Sequence, residues 1–345
     1  MRVLLLVLVP CFTAWGAAAM WFQLAQPVRG VLMALWVMLG SGAMWGLWRA
    51  GRASSARHSR HRLLTGSWMV AAVGLLVWWQ ALNPSHQREW ADDVARLLQA
   101  DIQGDRVTLH NVRNFDWRTE TDYTVRWETR QYDLSTIASV DLILSYWMGP
   151  HIAHTLVSFG FDDGRHLAFS LEIRKERHES FSAAAGFFRD FEQVIIAADE
   201  RDIVRTRSNA RGEDVYLYRV PLGREQARAV FLAYLQEAEA LRSQPAFYNT
   251  LDSNCTTIVF DLARQLAPGL PIDWRLLASG HFAEYAFDQQ ALVAGHDYAQ
   301  LQRLGHINAR AQQADRDAGA GRGQPGDNSF SRAIRQGVPG WETGR

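Results

Sequence analysis

His151–Glu176 reads HIAHTLVSFGFDDGRHLAFSLEIRKE. Two runs of alternating residues flank FDDGR, which suits a three-residue hairpin loop, Asp162-Asp163-Gly164, with the glycine in the left-handed region and Phe161 paired to Arg165. That turn sets the register. It pairs Val157 with Phe169, Phe159 with Leu167, Thr155 with Leu171 and Ala153 with Ile173 on one apolar face. A slip by one residue would mix the faces, so the apolar pattern itself selects this pairing. The opposite face then carries His154 across from Glu172, with Ser170 beside them and the two Cβ atoms within ~5.5 Å. A carboxylate there can fix the imidazole tautomer and stabilise its charged form. The same pair also fits an ordinary ion pair on a solvated sheet face.

Working outward, strand-like alternation recurs before the hairpin in RVTLHNVR (106–113), YTVRWETRQYDL (123–134) and IASVDLILSYW (137–147). It follows in FEQVIIAADERDIV (191–204) and EDVYLYRVPL (213–222). A helix is expected over REQARAVFLAYLQEAEALRSQ (224–244), ending before Pro245, and a second over SHQREWADDVARLLQADIQG (85–104), where Trp90, Val94, Leu97 and Leu98 recur at helical spacing. The order of elements predicts an α+β domain with an antiparallel sheet over residues 85–312. The later part, WRLLASGHFAEYAFDQQAL (274–292), reads as helix-rich, and the Gly/Asp/Arg-rich run from about Gln312 reads as a flexible tail over 313–345.

The chain has two cysteines, Cys11 in an apolar N-terminal run and Cys255 in FYNTLDSNCTTIVFDLARQL (247–266). Asp252, Ser253 and Asn254 are all good N-cap residues, and Ile258, Val259, Leu262 and Leu266 continue at helical spacing until Pro268-Gly269. Cys255 therefore falls in the first turn of a helix. There the free backbone N–H groups and the positive end of the dipole favour a thiolate, and can also hold an oxyanion. A small buried core residue is the competing reading, since free cysteine packs well inside proteins. A nucleophilic thiol needs an imidazole within hydrogen-bond reach and a third group to orient it. Of the eight histidines after Glu89, His154 has the paired carboxylate; His151, on the other face, is the second choice, ahead of His110, His166, His178, His281 and His306. No His or Cys spacing resembles a metal-ligand set, and neither a metal nor another cofactor is expected.

Three apolar segments, roughly Leu4–Leu24, Val31–Trp48 and Leu63–Leu82, each approach the ~20 residues that span a bilayer core. The first alone would also fit a cleaved leader, but two more follow at once, which predicts a membrane domain over 1–84. The link RAGRASSARHSRHR (49–62) carries five Arg against one in QPVRG (26–30). The positive-inside rule places the Arg-rich link in the cytoplasm and the chain after Asn83 in the periplasm of a bacterial inner membrane. The first 88 residues hold eight Arg and no acid, leaving 28 basic against 36 acidic residues beyond. That acidic balance argues against nucleic acid as a partner.

Several ordered segments resemble a known family: the hairpin (153–176), FRDFEQVIIAADERDIVRTR (188–207), VYLYRVPL (215–222) and YNTLDSNCTT (248–257). RNFDWRTETDY (113–123), WRLLASGHFAEYAFDQQAL and INARAQ (307–312) add to them. Together they resemble the N-terminal periplasmic domain of the Lnb-type bacterial lipoprotein N-acylating transferases, over roughly 111–312. The resemblance implies a papain-like fold of the permuted kind, in which histidine precedes cysteine, with Cys255 as nucleophile and His154 as base. Glu172 as orienter rests chiefly on the hairpin register. Tyr248, Asn249 and Asn254 match polar positions of the motif; they are expected to line the substrate site together with Ser170, or else to stitch the loop through side-chain caps. Proteins of the family carry membrane segments after this domain, whereas here three precede it, so the resemblance speaks for shared chemistry more than a shared substrate. The expected activity is acyl transfer or hydrolysis on a membrane lipid or lipoprotein through a cysteine thioester. The alternatives are a cysteine amidase or peptidase on peptidoglycan or peptides, and a non-catalytic envelope scaffold.

Overall fold

The computed structural model describes residues 2–49, 55–318 and 327–341. The chain divides into two compact units, Met1–His86 with Phe181–Phe191, and Gln87–Ser180 with Glu192–Arg345.

The smaller unit holds helices α1 (Arg2–Gln23), α2 (Val28–Arg49) and α3 (Ser55–Ala81). Each contains a stretch long and apolar enough to cross a membrane, Val3–Gln23, Val28–Arg49 and Leu63–Ala81. Most of the Arg-rich link lies outside the described residues or has undescribed side chains. The helices meet through aromatic rings: Trp36 stacks on Trp68 at 5.9 Å, and Phe12 packs edge-on to both. Their indole N–H groups are satisfied internally, Trp36 donating to the Thr13 carbonyl at 2.8 Å and Trp68 to Thr13 Oγ1 at 3.2 Å. An unpaired donor would be costly in a hydrocarbon environment.

The larger unit is built on an eight-stranded sheet. Its strands are β1 (Gln99–Gln103), β2 (Arg106–Arg113), β5 (Trp127–Asp133), β6 (Ile137–Tyr146), β7 (Ala153–Phe161), β8 (His166–Arg174), β9 (Glu192–Ala198) and β10 (Asp214–Val220); β3 (Asp116–Trp117) and β4 (Tyr123–Thr124) form a separate pair. The order is β1-β2-β9-β8-β7-β6-β10, with β5 also on β2. Among the described residues the sheet pairings are antiparallel except one parallel step, Arg113 beside Ala198, between β2 and β9. The β7–β8 hairpin has the expected register, with Val157 opposite Phe169 and Phe159 opposite Leu167. Gly164 takes φ +80° in the loop.

One sheet face packs on α5 (Arg224–Ser243) and α6 (Cys255–Leu266), with Phe159, Phe169, Phe231 and Tyr234 forming a ring cluster at 5.0–6.3 Å. Burying one such side chain stabilises by roughly 1.5–3 kcal/mol. The other face, through Ile143, Leu156, Ala168 and Ile196, packs on α4 (Glu200–Arg205), α9 (Asn308–Ala318) and α10 (Ser329–Arg335). Between them in the chain, α7 (Phe282–Asp288) and α8 (Tyr298–Gly305) are short.

Two expectations are corrected. No helix spans 85–104. Residues 92–94 make one 3₁₀ turn, Ala91 N–H donates to the Lys175 carbonyl and Arg177 N–H to that of Glu89, and 99–103 become edge strand β1. Helical spacing lost to backbone pairing with neighbouring chain. The described residues after Gln312 are also not a loose tail. Phe330, Ile334 and Val338 join the second core, and Arg335, fully buried, pairs with Asp141 at 2.9 Å and Glu200 at 2.5 Å.

Candidate functional site

Helix α6 begins at Cys255 because Asn254 caps it. Asn254 Oδ1 accepts from the N–H of Thr256 at 2.9 Å and Thr257 at 3.0 Å, and Thr257 Oγ1 accepts from the Asn254 N–H at 2.8 Å. Asn254 Nδ2 donates to the Thr250 carbonyl at 2.9 Å. The preceding loop closes on itself, Asn249 and Ser253 exchanging backbone hydrogen bonds at 3.0 and 3.1 Å while Asn249 Oδ1 accepts from Leu251 N–H. Gln193 of β9 clamps the loop from outside, donating to the Phe247 carbonyl and Ser253 Oγ at 2.8 and 2.7 Å. The amide side chains of Asn249 and Asn254 are therefore occupied in shaping the loop. Asn254→Ala is expected to cost about 1 kcal/mol, read as a lower melting temperature in thermal unfolding.

The cap also changes the oxyanion geometry. Two of the first-turn N–H groups are taken by Asn254, and that of Ile258 goes to the Asn254 carbonyl. The N–H of Cys255 itself remains as the helix's donor toward an incoming carbonyl oxygen.

Thr256 Oγ1 lies 2.9 Å from Thr155 Oγ1, which fastens the start of α6 to the start of β7. That contact brings Cys255 close enough to His154 for each to shift the other's titration. On its other side His154 Nε2 is 2.6 Å from Ser170 Oγ and 3.2 Å from Glu172 Oε1. Ser170 donates its proton to Glu172 Oε1 at 2.7 Å, so its oxygen must accept from His154 Nε2–H. This proton accounting assigns Nε2 as the protonated nitrogen and leaves Nδ1 for the thiol. Arg207, on the π-helical turn Thr206–Ala210, donates to the same Glu172 oxygen at 2.8 Å and to the Ile203 carbonyl at 2.9 Å. The result is one line of polar groups: Cys255, His154, Ser170, Glu172, Arg207.

The electrostatics follow from that line. Burial opposes a charge on Glu172, but His154 and Arg207 overcome it and hold the carboxyl well below its usual range. Burial likewise disfavours the His154 cation, yet Glu172 and then Cys255 raise the imidazole to about 9. For Cys255, burial alone would push the thiol up. The His154 charge, with the Thr155 backbone N–H, outweighs it and brings the thiol below its ordinary value. Both shifts favour a thiolate–imidazolium pair. His154 and Glu172 keep 17 % side-chain exposure each, whereas Cys255 is buried at 7 %.

Among the expected substrate contacts, Tyr248 is half-buried. Burial, then Cys255 and Glu172, raise its hydroxyl far above the ordinary phenol value, so it stays a neutral donor. Ser170 is buried between His154 and Glu172 instead of lining an opening. Sequence reasoning missed Arg207 and Tyr234. Tyr234 sits on the apolar stripe of α5 and is pushed up by burial and Cys255, but in sequence it reads as core. The second-choice base, His151, pairs instead with His281 at 2.8 Å, and His281 with Glu284 at 3.3 Å. His110 is engaged with Asp101 at 2.8 Å and His306 with Asp214 at 3.4 Å.

Residues 123–280 match the family model described as the Lnb N-terminal periplasmic domain. The match takes in β4 through the turn at Gly280, and with it His154, Ser170, Glu172, Arg207, Tyr248 and Cys255. No curated protein and no solved structure matches the chain. The three apolar helices and a periplasmic-domain family fit an inner-membrane protein with a periplasmic domain.

Proposed function

We propose, proceeding from the Lnb-type periplasmic domain at residues 123–280, that this protein is a multi-pass inner-membrane thiol enzyme that transfers or hydrolyses acyl groups of a lipid or lipoprotein. The large unit would face the periplasm and follow the papain-like plan in permuted order. One observation carries the reading: His154 joins the half-buried Glu172 carboxylate directly at 3.2 Å and through Ser170, and the charges of Glu172, His154 and Cys255 each favour the next.

The thiolate of Cys255 attacks the carbonyl carbon of an acyl ester. The oxyanion takes the Cys255 N–H, with Tyr248 as a neutral hydroxyl donor nearby. His154 delivers its proton to the departing alcohol, leaving a thioester on Cys255. An amine or water then attacks the thioester, gives its proton to His154, and releases the thiolate. Tethering to the membrane supports a membrane-borne acyl donor, because it removes the search through solution.

Mass spectrometry of the full chain after incubation with phospholipid or diacylated lipopeptide tests this. A fatty-acyl increment on Cys255, absent in Cys255→Ser, is the expected result. A peptide or muropeptide adduct would move the substrate to the amidase reading, and an unmodified thiol in all incubations would overturn the enzymatic proposal.

The pH dependence has a definite sign. His154 carries its proton below about 9 and loses it as pH rises through that value, so turnover through the ion pair falls on that alkaline limb. Glu172→Gln removes the charge that most raises the imidazole. The limb is then expected to move to lower pH, with slower turnover at every pH, as read from initial rates between pH 5 and 10. An unmoved limb would assign it to another group.

A further inference from the structure

The segment Phe181–Phe191, FSAAAGFFRDF, is grouped with the three apolar helices although both of its flanks run into the larger unit. Its attachment is specific. Gln23, which closes α1, donates from Nε2 to the carbonyls of Phe188 and Arg189 at 2.9 and 2.8 Å. The Arg189 guanidinium donates to the Trp79 carbonyl at 2.7 Å and lies over the Trp79 ring at 4.9 Å. Phe22 stacks on Phe188 at 5.2 Å. Trp79 lies near the end of α3, so the segment is held at the level where α1 and α3 both finish.

At that level Phe181 and Phe187 are 49 % and 44 % exposed. Exposed aromatic rings on a segment whose Arg189 is fixed to Trp79 form the composition that belts a membrane–water boundary. In a water-exposed loop they would be an unexplained apolar patch. We infer that Phe181–Phe191 is an interfacial membrane-contact segment, with Phe181 and Phe187 inserted among the lipids at the headgroup–acyl boundary. The bilayer is the occupant because the segment hangs from the ends of the same helices that fit a bilayer, at a depth their length sets. Nothing in its sequence marked it: it is short, lies inside the large domain and lacks an amphipathic period.

The inference rests on α1–α3 spanning a bilayer, and the test separates the two. In the full chain carrying Cys11→Ser and Cys255→Ser, a nitroxide is placed singly at F181C, F187C, V70C and E239C, and the protein is reconstituted in phosphatidylcholine–phosphatidylglycerol vesicles. Val70 is 75 % exposed on α3 and serves as the lipid reference; Glu239 on α5 serves as the aqueous one. Power saturation with oxygen against a water-soluble nickel chelate reads depth. At 181 and 187, nickel accessibility is expected to be several-fold lower than at 239, with oxygen retained, at a depth between the references. Nickel accessibility equal to that at 239 overturns the inference, and shielding from both reagents overturns it in favour of a protein partner. A nickel-accessible Val70 would instead remove the bilayer premise.

Discussion

His154→Ala is expected to lower turnover by on the order of 10⁴-fold or more, as removal of one member of a cooperating nucleophile–base pair does. The loss has two sources that can be measured apart. Without the imidazole, no group takes the acceptor's proton, which slows each acyl-transfer step. Without the imidazolium, burial is left to dominate at Cys255, and the thiol rises toward and above its ordinary value. Alkylation by iodoacetamide near pH 7 should therefore slow in parallel, although the thiol itself is untouched. Cys255→Ala should match the turnover loss and abolish alkylation at position 255, leaving Cys11 as the background thiol. If His154→Ala retains activity within tenfold of the parent, His154 is not the base. Ser170→Ala gives the finer readout. It interrupts the Nε2 hydrogen bond and leaves the weaker direct approach of Glu172 at 3.2 Å, so it should cost far less than His154→Ala.

The second large effect concerns stability. Arg335 is fully buried and holds two carboxylates that are also fully buried, Asp141 and Glu200. Ser158 Oγ donates to Glu200 at 2.5 Å and Arg219 to Asp141 at 2.6 Å, so the site is a closed network. Replacing Arg335 by Met leaves Glu200 without its guanidinium and Asp141 with Arg219 alone, and breaking a buried pair in this way typically costs about 3–5 kcal/mol. For a unit of this size that is roughly a 10 °C drop in melting temperature, measurable by thermal unfolding in detergent. Adding Glu200→Gln to Arg335→Met should recover part of the loss, because one stranded charge is removed. If the double variant is no more stable than the single one, the cost is packing and not charge.

Much of the site was legible because it depends on local periodicity. The alternation on both sides of FDDGR fixes which residues share a face, and that placed His154 with Glu172. The polar run before Cys255 located the helix start for the same kind of reason, since a cap acts within three residues. What the sequence did not disclose depends on long-range packing. Ser170 read as a pocket residue because period-two alternation says which face it is on, not what covers that face. Arg207 lies on a π-helical turn with no repeating pattern, and only the fold brings it to Glu172. Residues 85–104 have helical spacing, but the edge of the sheet offers their backbone better partners. The segment around Arg335 looked disordered from its Gly-rich approach, yet Phe330, Ile334 and Val338 in the core and a guanidinium paired to two carboxylates anchor it.

The same guanidinium bears on the order in which the molecule can be made. Arg335 and Asp141 meet across 194 positions of chain. A polypeptide delivered from its amino end therefore presents Asp141 on β6 long before Arg335 arrives. Until then Asp141 has Arg219 as its only guanidinium partner and Glu200, on α4, is held by Ser158 alone. Final closure of the large unit is thus a late event, and during export the incomplete unit would be the species most open to chaperones and proteases.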